Sequence, residues 1–324
     1  EATVHQASMR RRTALLALAA AALAVSAGCA AVRGGAPLPL RALAPGVYML
    51  PGSGGTADER NLGRIGNAGF IVGESGVLAI DTGTSYEHGR AILATIRSVT
   101  DKPVTLALVT HTRPEFLFGG KAFQEAGIPV AMHTRAARLM AARCEGCLKQ
   151  LRQTVGDGPL AGTAMYKPDR QFDEPHAVQG IGRAVRVLHF GHSSGPGDIA
   201  VLDEASGTLF AGGLLDAARV PDIQDSELPA WHRALASLRS LHPATVVPGH
   251  GSASSAALID TVEGYLTALE ARMRALVTAG TSLLEVPDAG ELPAYERWDQ
   301  YELVHRRNAS IAFLRFEREL LFKQ

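Results

Sequence analysis

The chain has 324 residues, 46% of them hydrophobic and 20% charged, which suits one large α/β domain, or two small ones, with a substantial core. Lys and Arg total 32 against 32 Asp and Glu. That balance excludes the basic excess on which nucleic-acid binding depends, so no nucleic-acid partner is expected.

The first segment reads as a leader. Met9-Arg10-Arg11-Arg12 is positive, and residues 13–27 form an apolar run rich in Ala and Leu. The run is short of the roughly 20 residues that a comfortable bilayer span needs. Residues 1–28 are therefore expected to be a signal peptide. Ser26-Ala27-Gly28-Cys29 resembles a bacterial lipoprotein box, in which small residues fit the peptidase cleft and the freed Cys29 takes lipid. An ordinary cleaved signal and a retained anchor are the alternatives. Residues 29–45, rich in Gly, Pro and Ala, read as a flexible tether, and 46–324 as the folded domain. The expected location is the periplasm, with a lipid anchor in a bacterial membrane.

Within the domain, residues 47–50, 68–72 and 77–80 read as strands, and Asp81 follows the third directly. Residues 86–99 carry Ile92, Ile96 and Val99 at helical spacing. Residues 104–109 form a buried strand that delivers His111 at its carboxyl end, and a helix begins at Lys121. Residues 134–155 are helical and carry Cys144 and Cys147. Residues three apart on a helix have Cα atoms about 5 Å apart, inside the disulfide window, so a local disulfide is expected in an exported protein. A redox or metal-trafficking C-x-x-C and an unpaired dithiol are the alternatives. Strands at 185–189 and 199–202 frame His192. A helix carries Trp231, Leu235 and Leu238, a strand at 245–247 leads to His250, and helices cover roughly 256–279 and 296–321. His88, His133, His176, His232, His242 and His305 lack motif context and read as surface or capping residues. Strands followed by helices, twice over, suggest two stacked sheets flanked by helices.

Five motifs in order sharpen this. Ile80-Asp81-Thr82-Gly83 matches an I-D-T-G turn. Thr110 to Gly120 has the frame T-H-x-H-x-D-H-x-x-G-G with substitutions. Gly191-His192-Ser193-Ser194, with Gly197-Asp198, matches a slightly stretched G-H-[ST]-x-G-D. Leu209-Phe210-Ala211-Gly212-Gly213 stands where L-F-x-G-D is expected, and Pro248-Gly249-His250-Gly251 matches P-G-H-G. The chain thus resembles the metallo-β-lactamase-fold superfamily. Residues 301–309 and Arg219-Val220-Pro221 look most like the quinoprotein relay system zinc metallohydrolases. The resemblance implies an αβ/βα four-layer sandwich with its site on loops at one sheet edge.

It also implies a pair of zinc ions, but transferred position by position the ligand set is depleted. Arg113 stands for the second histidine, Glu115 for an aspartate, Phe116 for the third histidine, and Gly213 for the bridging aspartate. His111, His192 and His250 remain, so at most one zinc ion is expected. Glu115 would act as fourth ligand or as base, and Asp81 would orient the site from behind or assist catalysis. Arg113 opposes this. A guanidinium about 4 Å from a divalent ion costs on the order of 8 kcal/mol at an effective dielectric near 20, against about 10–16 kcal/mol for structural zinc binding. The competing arrangement is an Arg113–Glu115 ion pair filling the vacated space, with Arg113 free to recognise an anion. Two functions follow. One is an exported hydrolase-like protein with a depleted, at most mononuclear, metal site acting on a small-molecule substrate. The other is a non-catalytic lipoprotein that binds a small anion or assists a periplasmic quinoprotein dehydrogenase.

Overall fold

Side chains on successive strands alternate between two apolar environments, which is the signature of a sheet covered on both faces. The computed structural model describes residues 36–322. In the first sheet the strands are β1 (Arg41–Ala44), β2 (Val47–Leu50), β3 (Ala68–Val72), β4 (Val77–Ile80), β5 (Val104–Leu108), β6 (Val130–His133) and β7 (Arg170–Phe172), in that spatial order. β1 to β4 pair antiparallel and β4 to β7 parallel. The parallel part needs crossovers. α1 (Tyr86–Val99) joins β4 to β5. α2 (Pro114–Leu117) and α3 (Gly120–Glu125) join β5 to β6, and α4 (Thr134–Val155) lies between β6 and β7. The second sheet holds β8 (His176–Ala177), β9 (Val185–His189), β10 (Ile199–Asp203), β11 (Thr208–Gly212) and β12 (Thr245–Pro248) in reverse spatial order. α5 (Leu228–Ser240) is the crossover between the parallel strands β11 and β12. α6 (Ala257–Thr278), the single turn α7 (Val286–Ala289) and α8 (Arg306–Phe322) close the chain.

Three apolar clusters make four layers. Val47, Met49, Ile71, Leu78, Ile80, Val187, Val201 and Phe210 fill the space between the sheets. Phe70, Val77 and Ala79, the alternate residues, face Ile92, Phe123, Met140 and Leu151 on the outer face of the first sheet. Ala200, Leu202, Leu209 and Val246 face Trp231, Leu235, Tyr265 and Phe313 outside the second. The arrangement is the expected αβ/βα sandwich. Asn67 fastens the two halves at the site end. Its side-chain oxygen accepts from the Gly52 amide at 2.9 Å, and its amide group donates to the carbonyls of Pro248 at 2.9 Å and Gly251 at 2.8 Å.

Several expectations are corrected. The tether read over 29–45 ends early, because Arg41–Ala44 pair with β2 across a turn in which Gly46 has φ +74°. The signal segment and Cys29 lie outside the described residues. The last helix starts at Arg306, not 296, after a π-helical turn over Tyr301–His305. His88 and His305 are not surface residues but buried. His88 Nδ1 accepts from the Thr84 amide, and His305 lies between the Tyr265 hydroxyl and the Gly290 carbonyl. His133 does cap a helix, accepting from the Arg135 amide at the start of α4. Among the described residues no helix is long and apolar enough to cross a membrane.

Candidate functional site

Asp81, His111 and His250 all follow the carboxyl ends of strands, where parallel strand ends open a cleft. Asp81 leaves β4 with φ +63°, in the left-handed region that a short polar side chain tolerates. Its carboxyl group accepts from the Thr110 amide at 2.8 Å and lies within 3.0 Å of the Thr110 hydroxyl. The same hydroxyl is 2.8 Å from His111 Nδ1. Asp81 thus reaches the cleft only through Thr110 and His111 and does not line it. The catalytic role considered for Asp81 is replaced by a positioning one. Burial pushes the Asp81 carboxyl up to about 8, against the hydrogen bonds from Thr110. Burial also pushes His111 down to about 3, with the Arg113 charge adding to the effect.

The centre of the site is a chain of three side chains, Glu115–His250–Asp216. His250 Nε2 lies 2.8 Å from Glu115 Oε1, and Nδ1 lies 2.8 Å from Asp216 Oδ1. The His250 amide donates to the same Asp216 oxygen at 2.9 Å. With a carboxylate at each ring nitrogen, both nitrogens carry protons and His250 is an imidazolium. Burial opposes that charge, but Asp216 and Glu115 outweigh it and push His250 up to about 9. Burial likewise opposes ionisation of Glu115, yet the His250 hydrogen bond and charge hold it at about 2.

Arg113 borders the same space but pairs outside this chain of three. Its Nη1 donates to Asp222 Oδ2 at 2.8 Å, and Arg307 donates to the same oxygen at 2.5 Å. The expected Arg113–Glu115 pair is therefore not formed: each has a nearer partner, Asp222 and His250. Phe116 is fully buried between two histidines, with ring centroids 4.2 Å from His111 and 5.2 Å from His250. His192 is directed elsewhere. Its Nε2 donates to the Asp225 carbonyl at 2.6 Å, and Asp225 in turn holds Arg143 at 2.6 Å.

The residues do not fit a pair of zinc ions. A metal ligand needs a ring nitrogen with a free lone pair; His250 has both nitrogens on carboxylates, and His192, tied through Nε2 to the Asp225 carbonyl, is not among the residues that line the cleft. A side chain at position 213 has no room. A Cβ there would stand 2.6 Å from Asp198 Oδ2 and 2.8 Å from the His111 ring, so the space of a bridging carboxylate is already filled. Among the described residues no three His, Cys, Asp or Glu side chains form a group able to hold a metal ion. The set proposed from sequence, His111, His192, His250 and Glu115, is corrected accordingly: His111, His250 and Glu115 share a cleft, and His192 does not join them.

Sequence reasoning missed Asp222 and Asp225, and considered Asp216 only as a late stand-in for the bridging aspartate, whereas it holds His250. None falls in a motif, and their partners His250, Arg113 and Arg143 are distant in the chain. It also expected Cys144 and Cys147 to be cross-linked. Both are free thiols. The physical reason is that a regular helix holds Cβ atoms three residues apart at about 5–6 Å, whereas a disulfide needs about 3.5–4.5 Å.

Two connected spaces result. An inner one of about 80 Å³ is lined by His111, Glu115, Asp198, Asp216 and His250, and shares Arg113, Arg219, Asp222 and Asp225 with the outer one. Asp198 takes the Ser194 hydroxyl at 2.7 Å, and burial raises its carboxyl to about 6. An outer one of about 430 Å³ opens beyond Arg113 and is bordered by Arg143, Arg219, Arg307, Cys144 and Cys147.

Two sheets flanked by helices, with loops carrying this histidine and carboxylate set at one end, define the metallo-β-lactamase fold. The family model for the metallo-beta-lactamase superfamily matches residues 62–250, and the chain belongs to that superfamily. A metallo-beta-lactamase from Pontibacter korlensis superposes with a TM-score of 0.58 at 22% identity, covering 71% of this chain and 99% of that one. One from Hirschia baltica gives 0.56 at 18% identity, covering 71% and 98%. At such identities the likeness shows the fold alone. A linear primary-alkylsulfatase from Pseudomonas sp. (strain ATCC 19151) is 23% identical over 215 residues, which are 56% of this chain and 40% of the relative. The chain therefore spans less than half the length of that relative.

Proposed function

We propose that this chain binds a small organic anion in its outer cavity and does not carry out two-zinc hydrolysis. The observation that carries this reading is the lining of that cavity. Four arginines, Arg113, Arg143, Arg219 and Arg307, face three carboxylates, Glu115, Asp222 and Asp225. Each guanidinium is already oriented by a carboxylate: Arg113 and Arg307 by Asp222, Arg143 by Asp225, and Arg219 by Asp299 at 2.5 Å. Guanidinium groups fixed in this way have further N–H donors for an oxyanion, with little entropy left to lose. Leu139, Leu151 and Val304 provide an apolar wall beside them. The relative named an alkylsulfatase acts on a class of substrate with these two parts, an anionic head and an alkyl chain.

The reading extends to an exported lipoprotein of the quinoprotein relay type, with a periplasmic quinoprotein dehydrogenase as partner. Its support is the leader pattern and the motif resemblance. The mass of the mature N-terminus tests it: a diacylated Cys29 is expected, and an unmodified start elsewhere refutes it.

Calorimetric titration with a short alkyl sulfate, a fatty carboxylate and an alkyl phosphate tests the anion site. A charged hydrogen bond contributes about 1.5–3 kcal/mol, so Arg307→Ala should weaken binding by roughly 10- to 150-fold. No heat of binding with any of the three anions would refute the reading.

A further inference from the structure

The outer cavity holds one reactive feature that anion binding does not use, the Cys144–Cys147 pair. Both residues belong to the middle of α4, both border the cavity, and both are free thiols. Cys144 is buried and Cys147 half-buried, so the pair is reached from the cavity on the Cys147 side. Closing an S–S bond would require the helix to deform, because the Cβ separation of about 5–6 Å exceeds the disulfide range. A bridge of sulfur, metal and sulfur is longer. With metal–thiolate bonds of about 2.3 Å, two sulfurs on one ion stand up to about 4.6 Å apart. That fits the helical spacing without deformation.

The geometry points to a binding site for a soft, low-coordinate monovalent metal ion of the Cu(I) class, held between the sulfurs of Cys144 and Cys147. Thiolate ligands select such ions. Zinc is disfavoured, because it takes four protein ligands in a closed site, and among the described residues no third His, Cys, Asp or Glu side chain completes a group with these two. The neighbouring Cys144 thiol, with Arg113 and Arg143 adding to the effect, lowers the Cys147 thiol below the usual cysteine range, against burial. Binding displaces the Cys144 proton, and any proton left on Cys147, to solvent, so two thiolates and one cation leave a single negative charge beside Arg143.

The test is titration of the reduced full chain, under anaerobic conditions, with Cu(I) supplied as its bicinchoninate complex. One equivalent of Cu(I) per chain should leave the coloured complex, with an ultraviolet thiolate-to-copper band and release of a proton. Uptake should be lost in the Cys144→Ser/Cys147→Ser double variant, whose folding is checked by circular dichroism, and in wild-type protein alkylated with iodoacetamide. No uptake by the reduced wild-type chain overturns the inference, as does uptake that survives both treatments. Either failure leaves the arginine-lined anion site standing, since that site is read from calorimetry with anions alone.

Discussion

Asp216→Asn keeps the shape of the Asp216 side chain and removes its charge, leaving His250 with Glu115 as its only carboxylate. A hydrogen bond between charged partners contributes about 1.5–3 kcal/mol. One pKa unit corresponds to about 1.4 kcal/mol, so the His250 value should fall from about 9 by roughly one to two units. The effect on stability has a defined sign. The folded value of His250 lies above its ordinary 6.5, so its contribution is present in full below pH 6.5 and is lost as the pH rises through 9. The gap corresponds to about 3 kcal/mol, and the lowered Glu115 value belongs to the same interaction and is not added to it. Asp81, also raised, acts in the same direction as the pH rises through about 8. Two-dimensional NMR of the histidine Cε1–H groups across this pH range measures the first quantity, and urea unfolding below pH 6.5 and above pH 9 the second. The variant should lose stability mainly at the lower pH, converging on wild type at the higher. A wild-type His250 that titrates near 6.5, or variant and wild-type stability curves that run parallel throughout, would refute the carboxylate–imidazolium–carboxylate arrangement.

Two further substitutions probe the packing that replaces the missing ligands. Phe116→Ala removes a fully buried ring between His111 and His250 and should cost about 3–5 kcal/mol in urea unfolding; a loss below ~1 kcal/mol would mean the ring is not part of the core. Gly213→Ala places a methyl group against the Asp198 carboxylate and the His111 ring and should cost about 1–3 kcal/mol through overpacking. A neutral or stabilising result would show that the space is open to a larger side chain.

Much of the fold was legible because short continuous apolar runs and helical spacing are local properties. β2, β3, β4, α1 and α4 all carry such patterns, and the I-D-T-G and P-G-H-G turns fall at strand ends as read. β7 was not legible, since Arg170-Gln171-Phe172 is a mostly exposed strand at the sheet edge with little burial to leave a pattern. β1 was hidden by the Gly, Pro and Ala content of the segment before it. At the site, His111, Glu115 and His250 could be assigned to one cleft from their motifs. The direction of Arg113 could not, because its partner Asp222 also serves Arg307, and the three residues meet only in the folded chain. The commitment of His250 to two carboxylates was equally hidden, since Asp216 lies in an irregular loop after β11. The C-x-x-C reading failed for a different reason: Cα spacing admits a disulfide that the direction of the Cβ atoms on a helix does not.

The most direct test of the account is the metal content of untagged protein, dialysed against excess zinc and then freed of unbound ion. The histidine cleft should take up no pair of zinc ions, and the His250 NMR signals should be unchanged by zinc. Two zinc ions per chain, lost together in a His111→Ala/His192→Ala/His250→Ala variant, would contradict it.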